Sequence, residues 1–434
     1  MPGAMLRFLE AAPRYAALAR SQWWAPERLA ALRERRLART LAAAARIPFY
    51  AERLGEPRRP DELASLPPLE RADVAALARS VRSVHPPETR FAAGRSSGTS
   101  GPAAQFLFDA RHQRGRNAAR ARYLRTNGWS PLERTVWFVG ARLLTETDPA
   151  YASEGELIRG SARLGVRFES TLMPFAEQVA VLERHRAESV YSYPSGIDGI
   201  LRILEAEGRR LPDLRRALCG GETVDEALRE RSRRNFGFDL RDNWGSTEAF
   251  LAFECPAGSY HVNAEHVVVE IVDAAGRAVA PGTMGRTLVT TLENELMPLV
   301  RYAIGDYAVA AAGPCRCGRS LPRIARVLGR EMNLFRRADG SLHSSWAAMG
   351  VLRHYPEMTL FQIVQEELER FRVRYVAPEP LAGERRASLE AELRTDLGAS
   401  VEIAVERVAE IPRAPSGKFM LALSEVERGA TARA

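Results

Sequence analysis

The chain has 434 residues, with 62 Lys plus Arg against 54 Asp plus Glu, a formal charge of +8 and 46% hydrophobic residues. That balance describes a folded globular protein of two to three units of roughly 150 residues each, not a disordered tail or a fibre. No run approaches the roughly 20 apolar residues that span a bilayer. The basic residues are interleaved with acids and form no aromatic–basic stripe, so neither nucleic acid nor membrane is an expected partner.

In chain order, the first 45 residues are rich in Ala, Leu and Arg, with Leu29, Leu32, Leu37 and Leu41 at helical spacing. Such a start can mimic a transit peptide, but Glu10, Glu27 and Glu34 interrupt its basic face, and packed helices are expected instead. Pro48, Pro57, Pro60, Pro67 and Pro68 then mark a helix–loop region. From about residue 90, short apolar strands alternate with amphipathic helices. Strands are expected over 135–139, 189–193, 216–219 and 239–243, and helices over 175–185, 196–207 and 225–236. This alternation predicts parallel sheets flanked by helices.

From 261 to 309 the chain becomes strand-rich, with 267–272 and 287–291 separated by Gly276, Pro281 and Gly282. Past Gly329 a new pattern begins: strands over 361–365, 372–376 and 401–405, with a helix over 383–397. The predicted fold class is α/β. A large N-terminal domain covers 1–329, with a helical segment over 1–90 and a strand-rich part over 255–318. A small α+β domain covers 330–434.

One detail of composition singles out a residue. Lys418 is the only lysine; every other Lys-or-Arg position is arginine. An ammonium is a compact point charge where guanidinium is a planar fork, so a lone survivor marks a place where arginine will not serve. It lies in the constrained turn Pro412-Arg413-Ala414-Pro415-Ser416-Gly417-Lys418.

Three further segments can carry chemistry. Ser96-Ser97-Gly98-Thr99-Ser100-Gly101-Pro102 offers hydroxyls and backbone N–H groups to an anion, although such a run read alone is more often a flexible loop than a phosphate cradle. It lacks the lysine of a P-loop. Asn243-Trp244-Gly245-Ser246-Thr247-Glu248 follows a predicted strand, at the end where open α/β sheets bind ligands. Helix capping by Ser246 or Thr247 explains the same pattern locally. Arg301-Tyr302-Ala303-Ile304-Gly305-Asp306 sets a carboxylate just past a glycine turn.

Taken in this order and spacing, the four segments resemble the adenylate-forming superfamily of acyl-CoA synthetases and ligases, especially its phenylacetate–CoA ligase branch. Ile47-Pro48-Phe49-Tyr50, Leu66-Pro67-Pro68-Leu69, Tyr193-Pro194-Ser195 and Gly220-Gly221-Glu222 extend the resemblance over nearly the whole chain. The resemblance implies that Ser96, Ser97, Gly98, Thr99, Ser100 and Gly101 cradle the ATP phosphates. By the same resemblance, Glu248 holds Mg²⁺ and Thr247 lies near the α-phosphate, within the motif of Asn243, Trp244, Gly245 and Ser246. Trp244 would stack on adenine in place of a usual tyrosine. Gly220, Gly221 and Glu222 would line the adenine–acyl pocket, Asp306 would bind the ribose with Arg330 as helper, and Lys418 would act in adenylation. The C-terminal domain would be mobile, rotating about a hinge at Glu331 or Asn333.

The implied reaction activates a carboxylic acid, aryl or arylacetic by resemblance, as acyl-AMP with release of pyrophosphate. Transfer to CoA or to the phosphopantetheine thiol of a carrier protein follows. An amine acceptor and a non-catalytic, zinc-stabilised ligand-binding relative are the alternatives. A monomer or a homodimer is expected.

The cysteines, Cys219, Cys255, Cys315 and Cys317, are too few for a disulfide-stapled secreted scaffold, which points to the cytoplasm. Cys255, His261, Cys315 and Cys317 suit a closed, structural, tetrahedral Zn²⁺ site, with His266 as alternative fourth ligand and unrelated reduced thiols as the bland reading. Cys219 reads as packing. His85, His112, His185, His343 and His354 read as surface or core residues.

Overall fold

The computed structural model describes residues 13–56, 58–86, 92–95, 104–140, 166–414 and 417–426. It has the α/β architecture expected, divided by contact density into two compact units. The first comprises residues 1–133, 142–168 and 241–327, and the second 134–141, 169–240 and 328–434. Residues 328–434 therefore group with the parallel strands and helices of the second unit.

In the first unit, helices Pro26–Ala44, Pro48–Leu54 and Val74–Ser83 precede the antiparallel hairpin Ala92–Arg95 and Gln105–Phe108. Pro26 and Pro48 start their helices, where a missing N–H costs nothing. Helix Ala110–Thr126 follows, capped by Asp109, whose side chain accepts from the His112 backbone N–H at 2.7 Å. The sheet runs in the order Val267–Val272, Met284–Thr291, Tyr302–Ala310, Arg323–Arg330, Tyr260–Val262, Phe250–Glu254 and Leu240–Gly245. Its core joins Leu37, Leu41 and Tyr50 of the N-terminal helices to Phe106, Leu107, Leu251, Val289 and Tyr302. Each large apolar side chain buried there contributes roughly 1.5–3 kcal/mol.

In the second unit, Thr135–Val139, Ser189–Ser192 and Arg216–Gly220 pair in parallel. Helices Phe175–His185 and Pro194–Ala206 connect them, burying Val136, Phe138, Val190, Ala217 and Cys219 with Val179, Leu182, Ile197 and Ile200. Cys219 is thus a packing residue. Residues 225–236 were expected as one helix. They form α-helical Glu226–Arg231 and then a π-type turn, Ser232–Phe236, ended by left-handed Gly237 at φ 76°. Farther on, a four-stranded sheet orders Glu402–Arg407, Arg370–Val376, Leu360–Glu367 and Ala422–Ser424. Helices Trp346–Arg353 and Gly383–Leu397 share its core through Leu352, Leu389 and Leu393. No helix among the described residues is long and apolar enough to cross a membrane.

Candidate active site and metal centre

In the first unit, strand Leu240–Gly245 delivers its motif into a tight turn. The Ser246 N–H donates to the Ala249 carbonyl at 2.9 Å, and the Ala249 N–H donates to Ser246 Oγ at 3.3 Å. Thr247 and Glu248 occupy the turn between these bonds, with Glu248 only 4% exposed. The Glu248 carbonyl oxygen lies 2.8 Å from His112 Nε2. A Cβ at Gly94 would stand 2.8 Å from the Thr247 methyl. Only glycine fits there, two residues before Ser96. The predicted phosphate loop, Ser96 to Gly101, lies outside the described residues.

Asp306 sits on strand Tyr302–Ala310 inside an irregularity in the pairing. Arg286 faces Tyr307 while Leu288 faces Ala303, four steps on one strand against two on the other, and Gly305 takes φ 83° within the excess. Such a bulge re-aims the side chain that follows it. The Trp244 indole N–H donates to Asp306 Oδ2 at 2.8 Å, so the two motif residues meet directly. The tryptophan, expected only as a stacking face, also holds the carboxylate. Arg301 of the same motif is structural. It adopts φ 48°, and its buried guanidinium donates to the carbonyls of Ala64, Leu66 and Gly276 while pairing with Glu270 at 3.1 Å.

Cys255, His261, Cys315 and Cys317 converge, their ligand atoms all within 4.8 Å of one another. Two turns present them: the Gly258 N–H donates to the Cys255 carbonyl, and the Gly318 N–H to the Cys315 carbonyl, with both glycines at positive φ. Cys255 Sγ and Cys315 Sγ are 3.8 Å apart, and Cys317 Sγ lies 3.2 Å from His261 Nε2. The sulfur spacing is far too long for a disulfide and matches the ~3.8 Å edge of a tetrahedron with ~2.3 Å Zn–S bonds. His261 Nδ1 faces the Leu321 carbonyl at 3.4 Å. A carbonyl only accepts, so Nδ1 carries the proton and Nε2 offers its lone pair to the cluster. Burial lowers the His261 pKa to about 4, keeping the ring neutral, as a ligand must be. Burial pushes the Cys255 thiol up to about 11. For Cys317 burial acts in the same sense, but hydrogen bonds from Arg319 and the neighbouring thiols outweigh it and bring the thiol down. The donor set fits zinc. His266, the alternative ligand, is elsewhere: its Nδ1 lies 3.1 Å from Glu293 Oε2 and its ring stacks on His112.

In the second unit, the turn before Lys418 is closed by the Ala414 N–H donating to the Lys418 carbonyl and the Gly417 N–H donating to the Ala414 carbonyl, each at 2.8 Å. Gly417 has φ 86°, and a Cβ there would strike Thr171 Oγ1 at 2.3 Å. Lys418 Nζ donates to the Gly221 carbonyl at 2.6 Å and lies 5.3 Å from the Tyr193 ring centroid. Gly221, at φ 84°, must be bare, since a Cβ would come within 3.1–3.3 Å of Tyr193 and Lys418. Glu222 turns inward, accepting from the Ser195 N–H at 2.9 Å and from Ser195 Oγ at 3.0 Å. Burial raises its carboxyl pKa, partly offset by those hydrogen bonds and by the charges of Lys418 and Arg353. Of the hinge candidates, Asn333 donates to the Ala422 carbonyl at 2.7 Å and Glu331 pairs with Arg336 at 2.8 Å. Arg330 immediately precedes the short turn Glu331–Asn333 that holds them both.

Sequence reasoning missed a second cluster. Arg353 is 2% exposed and joins Asp198 at 2.5 Å and Asp225 at 2.6 Å, while Arg231 and Arg202 also hold Asp198. Burial alone would raise the Asp198 pKa, but the three guanidiniums hold it well below the usual carboxylate range. Asp198 and Arg202 are an i,i+4 pair on one helix, but Arg353 comes from more than 120 positions away, so only the fold reveals the full cluster.

An AMP-binding enzyme family model matches residues 157–292, and a CapK C-terminal domain model matches 349–425. Over these segments the chain is similar to AMP-binding, adenylate-forming enzymes and, among them, to phenylacetate–CoA ligases. A phenylacetate-coenzyme A ligase of Thermus thermophilus is 30% identical over 162 residues, 35% of this chain and 36% of that protein. The phenylacetate-coenzyme A ligase of Escherichia coli is 27% identical over 222 residues, covering 47% and 48%. The chain thus matches about a third to a half of the length of these curated relatives. In fold it is similar to a 2-hydroxyisobutyryl-CoA ligase crystallised in the postadenylation state with 2-HIB-AMP. The TM-score is 0.72 at 19% identity, covering 95% of this chain and 91% of that one.

Proposed function

We propose that the chain is an ATP- and Mg²⁺-dependent carboxylate-activating ligase that forms acyl-AMP and then a thioester with CoA or a carrier-protein thiol. The observation that carries this reading is the placement of the sole lysine. Its ammonium rests on the Gly221 carbonyl beside Tyr193 and the inward-turned Glu222, 197 residues away in sequence. In the proposed first step a carboxylate oxygen attacks the α-phosphorus of ATP, the bond to the β-phosphate bridging oxygen breaks, and pyrophosphate leaves. Two anions must approach, so positive charge has to offset their repulsion at the transition state. Lys418 supplies one such charge. Glu248 would hold Mg²⁺, which when bound neutralises phosphate charge, and the Thr247 hydroxyl would lie near the α-phosphate. Asp306, oriented by Trp244, would accept from the ribose hydroxyls, with Arg330 as helper, and Ser96, Ser97, Thr99 and Ser100 would hold the phosphates.

We assign 1–329 to the adenylation domain and 330–434 to a small mobile domain. Cys255, His261, Cys315 and Cys317 would bind a structural zinc with no open position for chemistry. An aryl or arylacetic acid is the substrate class favoured by the phenylacetate–CoA ligase relatives. The test is pyrophosphate release across a carboxylate panel with ATP and Mg²⁺, with CoA, a carrier protein or an amine as acceptor. Acid-dependent release that ends in a thioester supports the reading, release ending in an amide reassigns the acceptor, and no release with any acid refutes it.

A further inference from the structure

The first unit contains a ring stack that reaches the Glu248 backbone and lies across Gly94 from Thr247. His112, fully buried in the first turn of helix Ala110–Thr126, lies against Phe108, with centroids 5.0 Å apart and planes at 11°. Its other neighbour is His266, 4.7 Å away at 29°. The Glu248 carbonyl 2.8 Å from His112 Nε2 can only accept, so Nε2 carries the ring proton and donates it there. His112 Nδ1 has no partner among the described residues.

The stack is braced from behind. His266 Nδ1 meets Glu293, which Arg14 and Arg36 hold at 3.0 and 2.8 Å. Gly115 lets the helix close over this pair, since a Cβ there would stand 2.0 Å from Glu293 Oε2 and 2.9 Å from His266 Nδ1. In front, a Cβ at Gly94 would come within 2.8 Å of both the Phe108 ring and the Thr247 methyl. Thr247 is therefore packed against the hairpin that carries Gly94 and Phe108, and Glu248 is fixed through its own peptide carbonyl.

We propose that His112 is a positioning residue for the adenylation step: by fixing the Glu248 peptide plane, its Nε2–H keeps the Glu248 carboxylate aimed at the Mg²⁺-bound phosphates. The proposal rests on the reading of Glu248 given above. Without the bond the 248–249 peptide keeps just the longer bond from the Ala249 N–H to Ser246 Oγ at 3.3 Å, the turn loosens, and the carboxylate loses its aim while its chemistry is unchanged.

The test compares His112→Ala with His112→Gln. Both delete the ring and its stacking, but only glutamine places an N–H at the reach of Nε2. ATP binding is measured by calorimetry at increasing MgCl₂, alongside thermal melts. Wild type should need Mg²⁺ for tight ATP binding, and Glu248→Gln should lose that dependence. His112→Ala should need roughly tenfold more Mg²⁺, while His112→Gln stays within about threefold of wild type. The melting temperatures of the two variants should fall together. Equal Mg²⁺ requirements in both variants, whether both normal or both impaired, overturn the positioning role alone. A wild type whose ATP binding ignores Mg²⁺ or the Glu248→Gln change overturns the Glu248 assignment and this proposal with it. Should His112→Ala fail to fold, His112→Asn serves in its place. Its shorter amide cannot reach the carbonyl, so impairment of Asn but not Gln sustains the proposal, and identical behaviour of the two overturns it.

Discussion

The Cys/His cluster and the Lys418 seat are both built from residues scarce in this chain, yet they are opposites in construction. Four ligands close around one point in the first, presented by turns with their own backbone bonds, and three of the four are buried. In the second, a half-buried ammonium donates to a backbone carbonyl. A closed, multiply held set resists change and suits a staple. A bond worth roughly 1.5–3 kcal/mol from a charged group is easily exchanged for one to a substrate oxygen. The contrast separates stability from chemistry: damage to the cluster should unfold, and damage to the lysine should only silence.

Breaking the cluster should have the largest effect. Cys315→Ser, or chelation of the native protein, is expected to remove about one zinc per chain. The melting temperature should fall by on the order of 10 °C, with activity surviving in the cold. Elemental analysis and melts check this together, and normal stability without zinc would erase the contrast.

Arg353→Ala tests the buried charge cluster in the lysine's own unit. Two carboxylates would lose their shared guanidinium, an expected loss of ~3–5 kcal/mol in urea unfolding. Replacement by Met should cost more than replacement by Lys if charge, not packing, is the reason.

Acid unfolding sharpens the same point in the first unit. Burial would raise the Glu293 pKa, but the hydrogen bond and charge of His266, with Arg36 and Arg14, hold it at about 2 against 4.5 in the unfolded chain. A depressed carboxyl stabilises fully above pH 4.5 and loses that contribution as pH falls through about 2, on the order of 3 kcal/mol. Glu293→Gln should therefore show a flatter stability–pH profile across that window in urea melts.

The smallest expected effect is at Trp244→Phe. A ring face stays but the N–H to Asp306 is lost, so ATP affinity should weaken by about 1 kcal/mol, with a modest fall in melting temperature because the indole is buried.

Much of this was legible in the residues because period and punctuation survive locally. The strands Thr135–Val139 and Val267–Val272 and the helices Phe175–His185 and Gly383–Leu397 fall where alternation and 3.6-residue spacing put them. The four-ligand cluster was legible because few residue types can hold such a metal. Helix Ala110–Thr126 was not, since arginines break its apolar stripe. One of them, Arg122, is buried because it pairs with Glu265 at 2.9 Å, 143 residues away, and also donates to Asn263. His112 stayed invisible for the same reason. Nothing in its neighbourhood in sequence announces a carbonyl 136 positions on. The Arg353 cluster and the Trp244–Asp306 bond likewise depend on long-range closure, which no local pattern encodes.

The most direct test of the central claim is pyrophosphate release by wild type, Lys418→Ala and Lys418→Arg, with ATP, Mg²⁺ and a panel of aryl and arylacetic acids. Wild type should release pyrophosphate with at least one acid, and Lys418→Ala should fall by roughly a hundredfold or more at unchanged melting temperature and nearly unchanged ATP affinity. Arginine should rescue poorly, because a planar fork cannot take the place of a point charge on the Gly221 carbonyl. Near-wild-type release by Lys418→Ala would contradict the account.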